Sequence, residues 1–197
     1  MREPIFSRGS HTRCRAGAIG LIVVSLLFVT GSPSTIAVET ADPWEVKALF
    51  LLNFAKLVTW PADRFDGKES PLVIGVLGAD PFDARLEDAV EGHKAHGRTL
   101  QVRRLPVAGG QLPTREQLTG CHLLFVSVSE RDRVPLILER LERASVMTVS
   151  DVEDFAVSGG VAEFVLVEPY LRFRLNREVA EASGLRISAQ LLRLAIP

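Results

Sequence analysis

Apolar residues fall along this chain in three kinds of run. The first, Ala16–Val29, is continuous but short, at about fourteen residues against the roughly twenty that a membrane-spanning helix needs. Arg2, Arg8, Arg13 and Arg15 precede it, Gly31-Ser32-Pro33-Ser34 breaks it, and Thr35-Ile36-Ala37 offers small residues suited to signal peptidase. That order predicts a secretory signal over residues 1–37, cleaved near Ala37. An uncleaved anchor extended through Thr30 is the alternative reading.

The second kind is helical. Trp44–Trp60 contains no breaker, Asp42-Pro43 supplies a cap and a proline for the first helical position, and Pro61 is the stop. Val46, Leu49, Phe50, Phe54, Leu57 and Val58 make one apolar face, and Leu51 and Leu52 widen it, so this helix is expected to be covered on more than one side. Shorter helices are expected from Asp80-Pro81 to about Val90 and over Val134–Glu142.

The third kind is the strand. Leu72–Leu77, His122–Val126 and Val146–Val149 are continuous apolar runs, as expected where both sheet faces are covered, while Thr99–Arg104 alternates. A polar loop is expected over Gly92–Gly97. The intervening lengths suit crossovers of a parallel sheet. Val161–Val167 and Leu171–Leu175, joined across Glu168-Pro169-Tyr170, stand too close for a helical crossover and should be antiparallel. Leu171, Phe173 and Leu175 then face the core, and Arg172 and Arg174 the other side. Asn176 can cap a helix through Ser183 that Gly184 ends, and Ser188 can cap one more, with Ile187 and Leu192 at staple spacing. The predicted fold is α/β: a layered α/β/α sandwich with a mostly parallel central sheet and a C-terminal antiparallel hairpin, over residues 38–197.

Composition changes this picture once the signal is set aside. Of the 197 residues about 160 remain, with 19 basic and 23 acidic side chains, a net charge of −4. That length suits one domain with a substantial core. Without a basic surplus to meet phosphates, nucleic acid is not an expected partner. Cys14 leaves with the signal, so Cys121 has no partner for an internal disulfide, and the lack of a cysteine at the cleavage point disfavours a lipoprotein.

Candidate chemistry is sparse, and no cofactor or metal is expected. Gly75 and Gly78 follow a buried strand but lack the three-glycine spacing of a dinucleotide turn; Gly78 instead reads as a strand-end turn with positive φ. His93 and His96 lie in a glycine-flanked loop without completing ligands, and the acids Asp151, Glu153 and Asp154 lack the spacing of a calcium loop. Cys121 and His122 should point to opposite strand faces, with Cys121 a small buried hydrophobe; an intermolecular disulfide or redox switch is the functional alternative. Ser127, Ser129 and Ser150 follow strands without a nucleophile elbow.

The ordered segments say more than any one side chain. Val46–Pro61, which carries Asn53-Phe54 and Trp60-Pro61, Val76–Phe82, Cys121–Ser127 and Gly184–Ala195, which reads GLRISAQLLRLA, resemble the YfiR-like family of periplasmic proteins. The resemblance covers nearly the whole chain after the signal. It implies an α/β domain without catalysis: a repressor of an inner-membrane diguanylate cyclase, bound through that enzyme's periplasmic sensor domain and lowering cyclic di-GMP. The partners it implies are that periplasmic domain and an outer-membrane lipoprotein that sequesters the repressor, with a homodimer left open. One departure is visible: members of the group commonly carry disulfide cysteines, whereas Cys121 stands alone and Val73-Ile74-Gly75-Val76 has glycine where a cysteine could sit.

A repressor needs a complementary patch. The expected one comprises Leu191, Leu192, Leu194 and Ile196 on a terminal helix too apolar to bury completely, with Arg172, Arg174 and Arg186 as a charged rim. Completion of the core and a solvated sheet face are the alternative readings of the same residues. Two other function classes stay open: a small-ligand sensor module with its ligand at the strand ends near Gly78–Phe82, Ser127–Glu130 and Ser150–Asp151, and a hydrolase, which would need Ser127 or Ser129 bonded to a histidine.

Overall fold

A computed structural model describes residues 42–197; the expected signal segment lies outside the described residues. In chain order the elements are α1 (Pro43–Leu57), β1 (Val58–Thr59), β2 (Leu72–Leu77), α2 (Arg85–Val90), β3 (Lys94–Ala95), β4 (Arg98–Leu105), α3 (Arg115–Thr119), β5 (Leu123–Val126), α4 (Val134–Arg140), β6 (Met147–Ser150), β7 (Ala162–Val167), β8 (Tyr170–Leu175), α5 (Arg177–Ala182), β9 (Arg186–Ile187) and α6 (Ala189–Leu194).

Asp42 starts α1 as its sequence suggests: its carboxylate accepts from the Trp44 amide, and Pro43 occupies the first turn. That bond, with Arg85 nearby, holds the Asp42 carboxyl below the usual range. The helix stops short of the expected Trp60. Val58 and Thr59 leave it to pair antiparallel with Ile187 and Arg186, and the Ser188 amide donates to the Leu57 carbonyl. The ladder available from β9 outcompetes another helical turn at two β-branched residues. The buried face also differs from the expected one. Ala48, Leu51, Leu52, Phe54 and Ala55 are inside, whereas Leu49 is 46% exposed.

The main sheet has seven strands in the order β3-β4-β2-β5-β6-β7-β8. From β4 to β7 all pairs are parallel, and β3 and β8 are antiparallel edges. The α/β class, mostly parallel sheet and C-terminal hairpin are therefore those the sequence predicts. Leu72, Ile74 and Val76 of β2 face a core closed by α1, α2, α5 and α6, while Val73 and Leu77 face a second core under α3 and α4. In the larger core Phe54 packs against Phe164 and Phe173 at ring distances of 5.9 and 5.1 Å. Each fully buried phenyl contributes about 2–3 kcal/mol of transfer free energy.

Two further boundaries move. Asp80 accepts from the Phe82 amide and Asp83 has φ 51°, so the chain turns before helix α2 begins at Arg85. The polar Gly92–Gly97 loop contains β3, which folds onto β4 through His96 at φ 53° and Gly97 at φ 80°. The C-terminal signals hold: Asn176 accepts from the Val179 amide, Gly184 takes φ 74°, and Ser188 accepts from the Leu191 amide.

Candidate partner-binding surface

The carboxyl ends of the parallel strands form the crevice in which an open α/β sheet usually holds a ligand, and β2 lies at the point where strand order reverses. Here the turn at Gly78 is closely approached by the chain that follows β5. Gly78 takes φ 92° as expected, and a Cβ built on it would lie 2.5 Å from Ser129 Oγ and 2.8 Å from Glu130 Cγ. Ser129 Oγ accepts from the Ala79 amide and donates to Glu130 Oε1, while Arg133 donates to Glu130 Oε2 at 2.8 Å. Glu130 is buried, so its pairing with Arg133 offsets the cost of removing its charge from water.

The serines of these strand ends serve the backbone. Ser127 accepts from the Ser129 amide; Ser150 donates to the Val126 carbonyl and accepts from the Val152 amide. Asp151 pairs with Lys47 at 2.8 Å, and Glu153 and Asp154 are exposed. His93 is exposed and His96 Nε2 bonds the Val58 carbonyl at 2.7 Å. Among the described residues no group of three His, Cys, Asp or Glu side chains is placed to hold a metal ion.

Cys121 and His122 face opposite ways, as alternation requires. Cys121 is fully buried with Leu118 and Leu124, and burial pushes its thiol up to about 11, which leaves it protonated and inert at neutral pH. That burial also withholds it from an intermolecular disulfide. His122 lies under Phe65, ring centres 4.4 Å apart, and Trp60 Nε1 donates to its carbonyl at 2.9 Å. Arg64 donates to the carbonyls of Thr119, Cys121 and Ser145, and burial lowers the pKa of its guanidinium. Sequence reasoning missed this role for Trp60 and Arg64, because their partners lie more than fifty residues away.

The C-terminal candidates divide. Leu191 is 1% exposed and belongs to the core, so its side chain is not on the surface. Leu194 is 52% exposed, and Leu192 and Ile196 are half-buried. Ile196 is drawn to β8, its amide donating to the Phe173 carbonyl at 2.9 Å. Arg174 donates to the Pro197 carbonyl and to Glu163, a buried acid that also accepts from the Ala156 amide. Arg174 thus ties the chain end to the sheet. Arg172 is exposed beside Tyr170, 5.6 Å from its ring centre, and Arg186 and Leu192 line one small cleft. The structure therefore joins Arg174 to Ile196 and Arg186 to Leu192, and leaves Leu194, Arg172 and Arg186 facing solvent.

Among the described residues no helix is long and apolar enough to cross a membrane. No curated protein matches the chain in sequence. A crystal structure of a conserved domain protein from Vibrio cholerae O1 biovar El Tor is similar at a TM-score of 0.52 and 14% identity, over 78% of this chain and 59% of that one. At that identity the likeness speaks for the fold alone. The sequence profile of the YfiR/HmsC-like family matches residues 44–196, from the first turn of α1 to the β8-bound Ile196. A match of that extent takes in both cores and the C-terminal surface together: the chain belongs to the YfiR/HmsC-like family.

Proposed function

We propose that this protein is a periplasmic repressor of an inner-membrane diguanylate cyclase, exported by cleavage near Ala37 and acting on the periplasmic sensor domain of that enzyme. The family match over residues 44–196 carries the reading, because the family is regulatory rather than catalytic. Two local observations support it. Ser129 and Glu130 press close against Gly78 at the strand end and are bonded to each other, and the described serines bond backbone groups and Glu130 rather than histidine.

Repression by binding requires that the protein prefer the inactive sensor conformation; equal affinity for both would shift nothing. Leu194 with Leu192, Ile196, Arg172 and Arg186 forms the contact, and Leu191 supports it from below. An outer-membrane lipoprotein competes for the protein and relieves repression. The test is co-purification of the exported chain with the cyclase's periplasmic domain, together with cyclic di-GMP measured in cells with and without the gene. Binding with a rise in cyclic di-GMP on deletion is the expected result. Absence of both would end the proposal.

A further inference from the structure

A second surface lies on the opposite side of the sheet from Leu191. The loop between β4 and α3, turned by Gly109 at φ 58° and Gly110 at φ 76°, stands away from α4 and leaves an open groove of about 860 Å³. Its charge is one-sided. Arg104, Arg115, Arg133 and Arg140 line it, and its lining contains no Asp or Glu. This occurs in a chain whose overall formal charge is −1.

The four cations are not equally satisfied. Arg104 pairs with Asp80 and Glu87, and Arg133 with Glu130. Arg115 donates only to the carbonyls of Arg140 and Glu142, and Arg140 to those of Leu112 and Pro113; among the described residues neither meets a carboxylate. Carbonyl dipoles hold these side chains in place without cancelling their charge. Both guanidiniums are therefore held at the groove as donors open to an anion.

Between the cations the groove is apolar. Leu136 is 44% exposed and, with Leu112 and the nearly buried Leu105, provides the greasy strip. On α4, Leu136 and Arg140 stand one turn apart on the same side, so the apolar strip runs up to the Arg140 guanidinium. A small inorganic anion would use one cation and leave the apolar strip wet. An extended segment with an apolar residue flanked by carboxylates uses the strip together with Arg115 and Arg140.

We infer that this groove between the β4–α3 loop and α4 docks an acidic peptide segment of a protein partner, with carboxylates on Arg115 and Arg140 and an apolar side chain on Leu136. The inference does not depend on the cyclase reading. Because the groove and Leu194 lie over opposite faces of the sheet, one molecule can hold two partners at once.

The experiment uses the exported chain and a fluorescein-labelled synthetic peptide with a leucine between two pairs of glutamates, read by fluorescence anisotropy. Binding that weakens with added sodium chloride is expected, with loss of about tenfold or more in Leu136→Glu and in Arg115→Gln. The substituted residues are exposed, and unchanged thermal unfolding of each variant confirms that the fold is kept. A matching glutamine peptide should not bind. No binding of the glutamate peptide up to millimolar concentration, equal binding by the variants, or capture of phosphatidylglycerol vesicles through Leu136 in place of the peptide would each overturn the inference.

Discussion

The Nδ1 atom of His122 accepts a hydrogen bond from the backbone amide of Val73 at 3.1 Å, where β5 begins beside β2. Its Nε2 lies 3.1 Å from the Arg64 carbonyl, which can only accept, so the ring is neutral with its proton on Nε2. Protonating Nδ1 would break the Val73 bond inside a buried site, under Phe65.

That geometry sets a pH dependence. Burial, first, lowers the His122 pKa from 6.5 to about 4, with the nearby Arg64, Arg98 and Arg103 charges acting the same way. Between these values the unfolded chain binds a proton that the folded one refuses, so stability rises with pH across this window. The contribution is complete above about pH 6.5 and is lost as pH falls toward 4, a total of roughly 3 kcal/mol. Urea midpoints measured from pH 7 to pH 4 should fall more steeply for the natural chain than for His122→Gln. Parallel curves would show that His122 does not set the slope.

Gly75 and Cys121 make a second test. A Cβ at position 75 would lie 2.5 Å from Cys121 Sγ, 3.3 Å from Cys121 Cβ and 2.8 Å from Leu124 Cδ1. Gly75→Ala should therefore overpack the core and cost about 1–3 kcal/mol. Gly75→Cys brings a second thiol against Cys121, the two Cβ atoms 3.3 Å apart, a little closer than is usual for a disulfide. Under oxidising conditions it should form an internal disulfide, seen as loss of both thiols in mass spectrometry, with a loop-closure gain of up to about 4 kcal/mol partly offset by the same overpacking. Two free thiols after oxidation would contradict the packing described for β2.

Leu191 and Leu194 separate folding from binding. Leu191→Asp buries a charge in the main core and should lower both stability and protein level, by about 3–5 kcal/mol. Leu194→Asp alters an exposed position and should leave the unfolding midpoint within about 0.5 kcal/mol while reducing repression of the cyclase. Cyclic di-GMP levels unchanged by Leu194→Asp, at normal protein level, would remove the C-terminal helix from the contact.

Arg64→Ala leaves the carbonyls of Thr119, Cys121 and Ser145 without their donor. The expected loss is about 2–4 kcal/mol in denaturant unfolding, and Arg64→Lys should recover only part of it, since an ammonium cannot reproduce the planar fork. Full recovery by lysine would mean that charge alone, not geometry, matters there.

Local rules carried much of this fold. The cap at Asp42, the buried run Leu72–Leu77, the Asn176 cap and Gly184 stop around α5, and the alternation that separates Phe173 from Arg174 are all written in neighbouring residues. Each depends on interactions within a turn or across one strand, so residue type and spacing suffice. The ordered family segments likewise identified the family on sequence alone.

Tertiary contacts decided the rest. Only β9 makes Val58-Thr59 a strand, only the packing of α6 on α1 buries Leu191 while exposing Leu194, and only the fold brings Ser129 and Glu130 against Gly78. The arginine groove joins residues from β4, α3 and α4 whose order in the chain gives no sign of their meeting. A sequence specifies which side chains are apolar or charged along each element. Which of them face one another depends on strand order and helix rotation, set by competition among long-range contacts over the whole domain.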